Sequence, residues 1–191
     1  TDVSHYRLSL HLTLAFIILV LLLWNYLKYN NENKISYNRK LPNILPIFLL
    51  TLIIIQISIG AFVSGLDAGQ IYNSWPLMNG NYFPDDYYYK DFFSTESLNT
   101  PSVVQFIHRN VAYFIFIFVL FVLIKIFKNN DFFYLRKAVL LVFLSLLLQM
   151  FLGIITVLSG AQILIASMHQ IGSIILISTS LILVFKNSKT N

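Results

Sequence analysis

The sequence has no cysteine, so disulfide frameworks, thiolate nucleophiles, iron–sulfur clusters and cysteine-type zinc sites are excluded together. Charge is scarce too. Only 11% of the 191 residues are charged, which excludes an ordinary soluble globular domain, where about 25% is usual, and a charged disordered tail. Basic residues outnumber acidic ones by 13 to 8, a net charge of +5. This is no nucleic-acid footprint, because the basic residues sit in small groups between long apolar runs, as membrane flanks do, and no nucleic-acid partner is expected. What is abundant is apolar surface: 57% of the residues are hydrophobic and the mean hydropathy is +0.72. The first residue is Thr1 rather than Met, so the chain is expected to be processed or a piece of a longer protein.

A spanning helix needs about 20 mostly apolar residues. Five segments qualify, at residues 8–27, 44–63, 103–126, 134–158 and 163–185. The first is too long for a signal-peptide core, lacks a basic leader and has no small-residue cleavage site after it. None of the five alternates as barrel strands do. The expected class is therefore an all-α integral membrane protein with five transmembrane helices and membrane lipid as its solvent. Lys28, Lys34, Arg39 and Lys40 follow the first span, Lys125, Lys128, Arg136 and Lys137 lie between the third and fourth, and Lys186 and Lys189 end the chain. The opposite side holds only Arg7, Lys90 and Arg109 as basic residues, with Asp67, Asp85, Asp86, Asp91 and Glu96. The basic loops are expected to face the cytoplasm, or the matrix of a mitochondrion. The loop of residues 66–102, with Trp75, Pro76, Pro84 and Pro101, then lies outside, its aromatics at headgroup level; a short interfacial helix fits within it.

Histidine occurs 4 times, as His5, His11, His108 and His169. Three lie inside spans that run from outside to inside, each about 7–12 Å below the outer boundary at 1.5 Å per residue. Ionisable residues at that depth are costly and are candidates for function. A lone intramembrane histidine often does no more than hydrogen-bond a neighbouring helix. Equal depth makes His108 and His169 a pair. His5, at the boundary, reads as a solvated residue without a role. Four positions after the three deep histidines stand Ala15, Ala112 and Ser173, with Gly172 and Ala166 adding clearance near His169. Small residues there leave room for a flat macrocycle, and they equally let helices pack closely.

The second and fourth spans repeat. One reads Gln56-Ile-Ser-Ile-Gly60 and ends in Ser64-Gly65; the other reads Gln149-Met-Phe-Leu-Gly153 and ends in Ser159-Gly160. Each precedes a histidine span, so the chain holds a duplicated hairpin, and two hairpins make a four-helix bundle of residues 42–186. Gly60 and Gly153 allow close helix approach, and Gln56 and Gln149 are expected to donate interhelical hydrogen bonds. The first span, with His11, looks like the last helix of another such unit. Three organisational parts follow: residues 1–28 as that helix, 29–41 as a cytoplasmic linker, and 42–191 as the four-helix half carrying the 66–102 loop.

Two neutral imidazoles without a carboxylate or thiolate suit zinc or a hard cation poorly. They suit the axial positions of a six-coordinate haem b, with Arg109 placed either to pair a propionate or to snorkel to the interface. Arg7 stands likewise four residues before His11. The stretch Val3-Ser4-His5-Tyr6-Arg7-Leu8-Ser9-Leu10-His11-Leu12, the loop residues Gly65-Leu66-Asp67-Ala68-Gly69 and Asn73-Ser74-Trp75-Pro76-Leu77-Met78, the run Gln105-Phe106-Ile107-His108-Arg109, and His169-Gln170 resemble haem A synthase in its alphaproteobacterial and mitochondrial form.

The resemblance implies oxidation of the C8 methyl of haem O to the formyl group of haem A, serving cytochrome c oxidase biogenesis. It implies eight spans in two four-helix halves. The C-terminal half of the family holds a haem b between histidines that match His108 and His169. The N-terminal half holds the substrate haem, and one of its histidines matches His11. Partners implied are haem O, haem O synthase and an electron donor, with a homo-oligomer left open, in a bacterial inner membrane. Two departures stand out. The family usually has proline where His5 stands, and its first three helices, with a Glu and a further histidine, have no counterpart here. By itself the 191-residue piece is expected to bind haem without converting haem O. The competing readings are a b-type cytochrome subunit that only transfers electrons, and a transporter or assembly factor whose histidines are structural.

Overall fold

The computed structural model describes residues 4–30, 41–86 and 94–188. Among these it is an all-α integral membrane protein with five helices long and apolar enough to cross a bilayer. Within hydrocarbon every backbone N–H and C=O must be satisfied internally, and the helix does this for each apolar run. The helices are α1 (His5–Tyr29), α2 (Ile44–Gly65), α3 (Pro101–Lys128), α4 (Arg136–Leu158) and α5 (Ile163–Ser188). Most extend a few residues past the apolar runs, because helical bonding continues through the polar flanks. Pro101 opens α3, where its missing N–H costs nothing. Lysines close α1, α3 and α5 beside the negative ends of the helix dipoles. Ahead of α4 a 3-10 segment, Asn130–Leu135, occupies residues expected to be helical from 134, its start capped by the Asn129 side chain accepting from the Asp131 N–H.

Helices α2 to α5 close a ring: α2 packs on α3, α3 on α4, α4 on α5, and α5 back on α2. This is the expected four-helix arrangement. Its core is set by apolar residues three, four and seven apart, such as Leu49, Ile53 and Ile57 on α2 and Ile115, Val119 and Val122 on α3. Helix α1 lies outside the ring against α2 and α5. It is held by Phe16 and by a polar seam in which the Ser9 hydroxyl donates to the Ser58 carbonyl at 2.9 Å and the Thr13 and Ser58 hydroxyls meet at 2.7 Å. Its other face, with Leu10, Leu14, Ile18 and Leu22, is exposed.

One end of the bundle gathers the basic helix ends. There Asn187, 1% exposed, accepts from the Leu41 N–H and the Tyr134 hydroxyl and donates to the Leu41 carbonyl and the Asn43 side chain. One side chain thus ties the entry to α2, the start of α4 and the end of α5. Lys34, Arg39 and Lys40, with most of the expected linker, and Lys189 lie outside the described residues, as do Val3, Lys90 and Asp91.

The other end carries the 66–100 connection, which folds back over the ring. Among the described residues its helical parts are the short 3-10 turns Ala68–Gln70 and Thr95–Asn99, with no longer interfacial helix, and Met78 pairs with Asn81 in an isolated antiparallel bridge. Its aromatics divide between two environments. Tyr72 is 3% exposed and packed over the bundle, whereas Trp75 and Tyr82 stand open to the surroundings. The two Ser-Gly pairs also differ. Gly65 is still helical and lies against His5, where an added Cβ would meet the His5 Cβ at 2.8 Å. Gly160 leaves α4 at φ +68 and takes the left-handed turn into α5. The repeat therefore holds for Gln, Gly and His, and lapses at the hairpin ends, where one connection is long and the other short.

Candidate functional site

His11, His108 and His169 lie six, seven and six residues into α1, α3 and α5, about 9–11 Å along each helix from the end that carries the loop. Equal depth is thus a property of the fold. His11 is exposed on α1, and its ring makes no hydrogen bond to a described residue.

Each paired histidine is seated by the helix before it. The Gln56 amide donates to the His108 carbonyl at 2.9 Å and stands 3.3 Å from the ring Nε2. Gly60 receives the edge of the same ring, so that a Cβ added there would lie 3.1 Å from His108 Cε1. On the second hairpin the Gln149 amide donates to the His169 carbonyl at 2.8 Å, and a Cβ at Gly153 would lie 3.0 Å from His169 Cε1. Both glutamines are the expected interhelical donors. The glycines do more than bring helices together, since each touches the ring itself. Gly172, by contrast, gives no clearance for a ligand: Gln149 and Leu152 of α4 fill the space its missing Cβ leaves.

His108 Nδ1 and His169 Nδ1 are buried without a protein partner. Each imidazole thus keeps an unpaired ring nitrogen at membrane depth, and no carboxylate or thiolate accompanies the pair. Among the described residues no group of three or more His, Cys, Asp or Glu gathers. By its chemistry that donor set suits haem iron and does not suit a cage for zinc or a hard cation.

Arg109 faces the loop. Its guanidinium donates to the Ser74 carbonyl at 2.9 Å and the Tyr72 carbonyl at 3.0 Å, while Nε is buried and unpaired. Gln105, one turn earlier on α3, donates to the same Tyr72 carbonyl at 3.1 Å. The Tyr72 hydroxyl donates to Asp85 and to Asp86, and burial together with these carboxylates pushes its ionisation above the ordinary 10.0. Tyr72 and Gln105 were not evident as site residues in the sequence; the only local signal is that Gln105 stands one turn before His108. His5 differs from expectation. It is half-buried and bonded through its ring to Asn99 at 3.0 Å, with Phe62 beside it, because the 94–100 segment folds onto the start of α1. Between α1 and α5 runs an open groove of about 340 Å³ lined by Leu12, Ala15, Phe16, Leu19, Gln170 and Ile171, among others.

Fold and site define an integral membrane protein in which a four-helix ring presents a paired histidine site. The chain belongs to the cytochrome oxidase assembly protein family, whose model matches residues 1–181. It is 47% identical over 188 residues to the haem A synthase of Pelagibacter ubique (strain HTCC1062), covering 98% of this chain and 54% of that protein. It is 41% identical over 181 residues to the haem A synthase of Rickettsia felis, covering 93% and 53%. With that of Wolbachia pipientis wMel it shares 40% over 184 residues, covering 94% and 50%. These relatives bear out the resemblance read from the sequence. The chain spans about half the length of the relatives it matches. No solved structure matches it.

Proposed function

We propose that this chain forms the haem-b half of a haem A synthase, which oxidises the C8 methyl of haem O to the formyl group of haem A in a bacterial inner membrane. The observation that carries the reading is the pair of half-buried imidazoles, each with a buried and unpaired Nδ1, presented at one depth by two similarly built hairpins. In this reading His108 and His169 hold the iron of haem b, and the bound haem supplies one-electron transfer. The chain's own residues position it. Seated rings present fixed nitrogens, and the unpaired Arg109 Nε–H is a donor available to a propionate.

His11 belongs to the substrate side. Its exposure on α1 and the apolar groove that begins at Leu12 and Ala15 beside it support that placement. Haem O is then the substrate, with haem O synthase and an electron donor as functional neighbours.

The test is spectroscopic. Purified protein supplied with haem b should show a low-spin bis-histidine signature. His108→Ala or His169→Ala should abolish it or turn it high-spin, whereas His5→Ala should leave it intact. Unchanged spectra in both alanine variants would sink the assignment. A cytochrome that only transfers electrons remains the second reading, favoured by the fact that the ring of α2 to α5 closes without α1. Conversion of haem O by the full-length protein separates the two. His11→Ala should impair that conversion and spare the haem-b signal.

A further inference from the structure

Both hairpins use the same spacing, Gln-x-x-x-Gly on one helix and His on the next, and helix geometry explains it. Carbonyls point toward a helix's C-terminus, and side chains tilt toward its N-terminus. Because α2 and α3 run antiparallel, the His108 carbonyl points toward the start of α2 and the His108 ring tilts toward its end. Gln56 meets the carbonyl at 2.9 Å. Gly60, four residues and about 6 Å further along, meets the ring. On α4 and α5, Gln149 and Gly153 meet the carbonyl and ring of His169 in the same order.

Backbone satisfaction does not require these glutamines. A carbonyl inside a helix already accepts from the N–H four residues on. The added bond instead leaves Gln56 Oε1 and Gln149 Oε1 buried without partners. An unsatisfied buried acceptor is unfavourable, so helix packing alone is better served by an apolar side chain of the same length. Two hairpins carry the same unfavourable feature at matching positions, each on the side chain that holds the histidine's backbone.

We propose that Gln56 and Gln149 are positioning residues which, with Gly60 and Gly153 as seats for the ring edges, fix the height and rotation of the two imidazole planes presented to a haem iron. This deepens the haem-b reading and rests on it. Groups behind an axial ligand orient it and tune the metal it holds.

The test uses the protein supplied with haem b. Gln56→Met and Gln149→Met keep side-chain length, remove the donor and remove the orphaned oxygen. They should retain thermal stability and haem content, yet shift the low-spin g-values and the midpoint potential. Gly60→Ala and Gly153→Ala should shift the same two readouts by pushing Cε1 away. Gly65→Ala is the packing control, since it crowds His5 rather than a proposed ligand, and should leave both unchanged. Wild-type g-values and potential in the methionine variants would overturn the proposal, as would an equal shift in the Gly65→Ala control. If the alanine variants do not fold, the methionine variants alone decide it. Absence of a low-spin signal in the unsubstituted protein would strike the haem-b reading itself, a result distinct from either.

Discussion

Arg109 adjoins His108 in sequence, but successive helical residues point about 100° apart, so the two side chains serve different surroundings. The histidine turns to α2 and the arginine to the Tyr72 and Ser74 carbonyls. Hydrogen bonds from a charged donor contribute about 1.5–3 kcal/mol each, so Arg109→Ala should loosen the loop over the bundle by at least that amount. Hydrogen exchange at residues 72–78 is the measurement: faster exchange there, with helix cores unchanged, is expected, and unaltered exchange would refute the role. Arg109→Lys should restore only part of the protection, since an ammonium lacks the planar fork that reaches two carbonyls. At this scale the sequence was unevenly legible. His108 and His169 were legible because ionisable residues are rare at membrane depth. Tyr72 and Gln105 were not, because their partners are backbone carbonyls and carboxylates in a connection without periodicity.

Among the elements, that connection carries a tyrosine whose ionisation couples to its folding. Tyr72 is clamped from both sides: its carbonyl by α3, its hydroxyl by Asp85 and Asp86. Its ionisation is raised above 10.0, so the folded loop holds the proton more tightly than the unfolded loop does. The clamp is therefore fully present at neutral pH and is lost only as pH rises beyond about 10, where the unfolded hydroxyl ionises first. Trp75, whose indole N–H donates to the Tyr113 hydroxyl at 3.0 Å, is a nearby reporter. Its fluorescence should be flat through neutral pH and change in alkali, and Tyr72→Phe should remove that change. An identical alkaline transition in the phenylalanine variant would show that another group governs it. The helices themselves were legible from apolar run length alone. The Ser-Gly pairs were not, because the same dipeptide stays helical beside His5 and turns left-handed at Gly160 according to the connection that follows.

For the whole molecule, the ring closure and the shared depth of the histidines follow from the duplication that the sequence displays. The packing of α1 does not, since its polar seam with α2 rests on three hydroxyls, of Ser9, Thr13 and Ser58, and its contact with α5 on apolar and aromatic side chains such as Trp24 against Phe185. Orientation is the testable property at this scale. The basic end should face the cytoplasm and the loop end the periplasm. The natural lack of cysteine allows single cysteines at positions 34, 86 and 128 to be probed with an impermeant reagent on intact cells. Labelling at 86 alone is expected; labelling at 34 and 128 but not at 86 would invert the molecule and carry the histidines to the other leaflet.

The unequal connections set an order of assembly. Four residues, 159–162, join α4 to α5, whereas thirty-five, 66–100, join α2 to α3. Closing the longer one costs on the order of 2 kcal/mol more in chain entropy. The second hairpin, with Gln149, Gly153 and His169, therefore has the smaller search to complete. It offers a preformed helix pair against which the first hairpin, with its slower closure, finds its register.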